Sequence, residues 1–84
     1  MKEKIYKIHR IEARSVEYRS GGWAAEAVVE WRELGYAHTF RLHHPEGRTP
    51  FPTEDKAEAY AIRMATQWID GGKPGYNAEG GSEG

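Results

Sequence analysis

Cysteine is absent from the 84-residue chain, and its absence removes disulfides, thiolate zinc sites and cysteine nucleophiles together. A cysteine-free chain suits a reducing compartment, so the cytoplasm is the expected location. Long apolar runs are also missing, and no stretch approaches the roughly 18 consecutive apolar residues of a membrane-spanning helix. The opening residues, MKEKIYKIHRIEAR, carry charge throughout and lack the apolar centre of a signal peptide. Net charge is close to nil, −1 from 12 Lys/Arg and 13 Asp/Glu. That balance argues against holding nucleic acid by bulk electrostatics.

What is present begins with Trp23–Trp31, WAAEAVVEW. Trp23, Ala25, Ala27, Val29 and Trp31 fall on one side of an extended chain, and Ala24, Glu26, Val28 and Glu30 on the other. A period of two over this length predicts a half-buried strand at the centre of the domain. Before it, residues 5–20 read as extended with a change of parity. Ile11 and Ala13 have one parity and Val16 and Tyr18 the other, so a bulge or break is expected near Glu12–Arg14. A turn at Ser20-Gly21-Gly22 would set Tyr18 opposite Ala25 and Val16 opposite Ala27, with all four on the core face.

After the central strand, Trp31 paired with Tyr36 would set His38 opposite Val29, Phe40 opposite Ala27 and Leu42 opposite Ala25. The open face would then oppose Glu26 to Arg41, Val28 to Thr39 and Glu30 to Ala37. Leu34 is expected to be an exposed turn leucine. His43 to Pro52, with three prolines and a glycine, reads as a loop. Thr53 is a predicted N-cap, followed by Glu54 and Asp55 where the helix dipole favours acids. The helix should run from Glu54 to about Asp70, with Ala57, Ala61, Met64, Ala65 and Trp68 in one stripe and Gly71-Gly72 at its end.

The predicted fold is therefore α+β: a three-stranded antiparallel meander followed by one C-terminal helix packed on one face. Residues 1–72 form a single domain and residues 73–84 a flexible, disordered tail, since the latter are polar and glycine-rich. Trp31, Phe40, Leu42, Met64 and Trp68 should be largely buried, with Ala25 and Ala27 under the helix.

Gly21-Gly22 leading into an aromatic strand, HTFRL at His38–Leu42 and FPTEDKAEAYAIRMATQWIDGG at Phe51–Gly72 resemble a group of small bacterial domains that includes the HlyU-like family. The resemblance spans residues 20–72 and contains no catalytic motif. It implies a strand-strand-helix fold and a regulatory, transcription-related role. The prolines at 45, 50 and 52 and the longer first strand depart from the family pattern.

No catalytic site, cofactor site or metal site is predicted. The four histidines lack metal-ligand spacing, no nucleophile elbow surrounds any Ser or Thr, and Gly21-Gly22 lacks the rest of a phosphate loop. Two binding readings remain. The favoured one is a non-enzymatic protein-interaction or regulatory module, meeting an unknown partner or a second copy through a strand edge or the helix. The alternative is nucleic-acid binding by the basic N-terminal strand. Residues 1–20 hold six Lys/Arg against three Glu, and Lys7, Arg10, Arg14, Arg19 and Arg41 are the candidate contacts.

Overall fold

In the computed structural model, which describes residues 2–44 and 50–76, the predicted central strand is β3 (Trp23–Glu33). Its neighbours are β2 (His9–Glu17) and β4 (Tyr36–His43), and a further strand, β1 (Lys2–Tyr6), pairs with the outer side of β2. The sheet thus has four antiparallel strands in chain order, not three. A two-residue turn at Lys7-Ile8, with Lys7 at φ +57°, folds β1 back so that Tyr6 faces His9. β1 is hard to recognise because neither face is consistently apolar: Lys2 and Lys4 share one with Tyr6, and Glu3 shares the other with Ile5.

β2 holds one parity along its whole length, and no bulge interrupts its pairing with β3. Ile11 faces Val29, Ala13 faces Ala27 and Ser15 faces Ala25. This ladder is displaced by three residues from the expected one, an odd number, so the face assignment reverses. Val16 and Tyr18 are exposed, and Ile11 and Ala13 are fully buried. The cause is spatial. The helix packs over the face that carries Ile11 and Ala13, whereas Val16 has the opposite parity and, with Tyr18, lies near the far hairpin. There the backbone N–H of Tyr18 donates to Gly22 O (2.9 Å). Gly22 sits at φ +88° and a Cβ would come within 2.5 Å of Pro50 Cβ, so only glycine fits. Beyond it, Trp23 and Phe51 exchange both backbone hydrogen bonds and anchor the chain after residue 49.

Between β3 and β4 the register is displaced by two residues from the expectation: Trp31 faces His38, Val29 faces Phe40 and Ala27 faces Leu42. An even displacement preserves the faces, so the predicted core and open sides both stand. A two-residue turn at Leu34-Gly35, with φ of +54° and +83°, replaces the longer turn expected. Leu34 is 91% exposed.

α1 (Glu54–Asp70) begins at Thr53, whose Oγ1 accepts from Lys56 N (3.2 Å), and ends at Gly71. Ala57, Ala61 and Ala65 have no exposed surface and bring the helix close to Ala13, Ala27 and Val29. Trp31 and Trp68 are buried as expected. Phe40, Leu42 and Met64 are only half-buried, because α1 lies over β2 and β3 and leaves β4 on its flank. The predicted loop segment 45–49 and tail segment 77–84 lie outside the described residues.

Candidate interaction surface

The face away from α1 is a mosaic of opposite charges. Arg10 donates to Glu3 Oε2 (2.6 Å) and Glu30 Oε1 (2.7 Å), and those two hydrogen bonds raise its already high pKa. Arg14 meets Glu12 at 3.3 Å, and Arg41 meets Glu26 at 3.4 Å. In the observed register Glu26 stands opposite His43, so its contact with Arg41 is diagonal rather than direct. Val28, opposite both Glu12 and Arg41, is only 5% exposed, covered by these longer side chains.

Arg10, Arg14 and Arg41 therefore share one face, each with a carboxylate partner. Lys7 and Arg19 do not join them. Lys7 occupies the β1–β2 turn and donates to Asp70 Oδ1 (2.9 Å), while Arg19 sits in the β2–β3 connection. The nine-residue β2 separates those two positions by roughly 30 Å.

The sheet has two edges with different chemistry. On β1 every residue except Tyr6 is exposed, and the strand is fastened to α1 by Lys2–Asp55 (3.3 Å), Lys7–Asp70 and the Tyr6 hydroxyl donating to Asp70 (2.8 Å). The Asp70 carboxyl is held below its ordinary value by the Lys7 and Tyr6 hydrogen bonds, and Tyr6 and Lys7 are raised by the same contact. An acid in the last helical turn opposes the helix dipole, and its ties to β1 offset that.

Along β4, His44 N–H donates to Ala25 O (2.8 Å). Antiparallel alternation then turns the N–H and C=O groups of Ala37, Thr39 and Arg41 outward. Among the described residues no strand pairs with them. At the same end of the sheet, a shallow groove of about 620 Å³ runs over the open face to this edge. Ile8, Arg10, Glu30, Arg32, Ala37 and Thr39 line it. At this end of the sheet Leu34 in the β3–β4 turn is 91% exposed, Tyr36 at the start of β4 72% and Ile8 in the β1–β2 turn 65%, while the exposed Ile5 belongs to β1 at the opposite edge.

On the helix side of that end lies a cluster the sequence reading missed. Trp31 is stacked on His38 (5.4 Å), tilted against His9 (5.2 Å), and meets Trp68 and Tyr76 edge-on. Lys73 Nζ lies 4.6 Å from the Trp31 ring centroid. Trp68 Nε1 donates to Pro74 O (2.9 Å), and the Tyr76 hydroxyl hydrogen-bonds His38 Nδ1. Lys73–Tyr76 is thus packed, correcting the expectation that the tail begins at residue 73. Tyr76 was the available signal, the one aromatic in an otherwise polar stretch. Burial, with help from nearby Lys73, lowers the pKa of His9, whose Nε2 is enclosed without a partner.

Among the described residues no group of three His, Cys, Asp or Glu side chains could hold a metal ion, and no helix is long and apolar enough to cross a membrane. Comparisons with protein-family models, with curated proteins and with solved structures find no match.

Proposed function

We propose that the chain is a non-enzymatic, cytoplasmic protein-interaction or regulatory module that meets its partner through the β4 edge and the apolar residues at the adjoining end of the sheet. The observation that carries this reading is the β4 backbone, unpaired on its outer side among the described residues, beside exposed Leu34 and Tyr36. Unpaired edges bind extended chains by completing the ladder, and neighbouring side chains supply the selectivity. The mixed charges of the open face suit a solvated surface, with Val28 shielded.

The nucleic-acid reading would need Lys7, Arg10, Arg14, Arg19 and Arg41 to exchange their present surroundings for phosphates. Binding would then weaken steeply with added salt. Retention on heparin and binding to a mixed DNA pool, each at two salt concentrations, separate the two. The interaction module elutes with the void at both salts. Retention at low salt that disappears at high salt, and that fails in an Arg10→Gln, Arg14→Gln double variant, would sink it.

A further inference from the structure

We infer that the occupant of the β4 edge is a second copy of this chain, paired antiparallel about a two-fold axis through Thr39, so that two four-stranded sheets join into one. The inference rests on the interaction-module reading and adds the partner and the register.

The strand is self-complementary in this register. Thr39 meets the partner's Thr39, and Ala37 meets the partner's Arg41, with outward backbone groups on all of these residues. Each such pair exchanges N–H···O bonds across the edge. On the helix side Phe40 meets the partner's His38, and Leu42 meets the partner's Tyr36. Aromatic therefore faces aromatic, and the highly exposed Tyr36 gains an apolar neighbour. No like charges stand opposite one another. Moving the axis to Phe40 would bring Arg41 diagonal to the partner's Arg41 and set Tyr36 against His44, a poorer match.

Strand pairing with limited flanking contact is small beside the standard interface of about 1,600 Å², so assembly is expected on the order of 10–100 µM rather than as an obligate dimer. The test is sedimentation equilibrium of the full chain from about 5 µM to about 1 mM, with two variants. The parent should pass from 9.5 kDa toward twice that mass. Thr39→Lys places like charges face to face on the axis, as natural edges do to block pairing. It should stay monomeric while its melting temperature at low concentration matches the parent's.

Because the chain has no cysteine, Thr39→Cys gives a clean register probe. Under oxidation it should link into a covalent dimer, and Lys4→Cys on the opposite edge should not. A parent that remains monomeric up to the highest concentration overturns the inference. So does a dimer that survives Thr39→Lys, or one cross-linked through position 4 and not 39. None of these outcomes bears on heparin or DNA binding, whose result decides the interaction-module reading separately.

Discussion

β1 and β4 are the two edges of one sheet, packed beside the same helix, and the protein secures them by opposite means. β1 is short, carries Lys2 and Lys4 on its helix-side face, and reaches α1 through solvent-exposed ion pairs to Asp55 and Asp70. β4 is longer and is held by rings: Phe40 stacks on Trp68 at 4.6 Å with planes 7° apart, while His38 and Phe40 meet Tyr76. Screened surface pairs contribute little, whereas aromatic pairs add roughly 0.5–1.5 kcal/mol beyond the area they bury. One edge is therefore guarded and loosely attached, the other firmly attached and unguarded. Lysines already discourage association at β1, so a firm, open β4 is the edge available to a partner.

The sharpest way to break the contrast is Trp68→Ala. It removes the ring beneath Phe40 and the hydrogen bond to Pro74, and should cost about 3–5 kcal/mol in denaturant unfolding. For a domain of this size that loss is close to the whole stability. A variant melting within a few degrees of the parent would mean that the helix does not hold the β4 flank. Tyr76→Ala tests the same side more gently. A half-buried tyrosine with several ring contacts should contribute on the order of 1–2 kcal/mol, and an unchanged melting curve would return Lys73–Tyr76 to the tail.

A pH titration separates the two edges further. His9 lies on β2 between them, and its burial lowers its pKa below the ordinary 6.5. The unfolded chain takes up the proton first, so stability should fall as pH drops below about 6.5 and level off below the folded value. His9→Gln should flatten that slope, and a slope that persists would assign it to another group. The smallest effect is expected at β1. Asp70→Asn should barely move the global unfolding midpoint, yet raise hydrogen exchange at the amides of β1 while leaving those of β3 unchanged. Equal protection of β1 and β3 in the variant would erase the proposed difference between the edges.

The same physical division explains what could be read from the residues alone. β3, β4 and α1 were legible because each has one apolar side, and Trp31, Ala25, Ala27 and Trp68 lie where periodicity puts them. The β3–β4 ladder missed by two residues without harm, since an even displacement keeps Phe40 and Leu42 on the core side. β1 was not legible because a strand attached by charge has no apolar period. β2 offered two apolar sets, Ile11 with Ala13 and Val16 with Tyr18, and only the position of the helix chooses between them. Glu58 was read past for a related reason: a carboxylate on a helix looks solvated until Ser15, from a distant strand, is seen donating to it at 3.3 Å. As for the candidate surface, its exposed turn leucine and Arg41 were visible. The groove, the free edge and the scattering of the five basic residues depend on which strand lies outermost.

The order of the strands has a consequence for how the chain reaches this state. Every ladder joins consecutive strands, two of them through two-residue turns, so the sheet can zip from local hairpins that form in roughly 1–10 µs. Closing such short loops costs little entropy, and a low contact order favours fast folding. Only the helix must return across residues 44–53 to reach β2 and β3. If the hairpins form the nucleus and helix docking follows, changes at Leu34 or Gly35 should slow refolding, whereas Trp68→Phe should mainly hasten unfolding. For a chain with an open edge this sequence of events matters. During the interval after the sheet has formed and before α1 has docked, both faces and both edges stand bare. The lysines of β1 would then act as kinetic protection, discouraging half-made molecules from adding to one another at that edge.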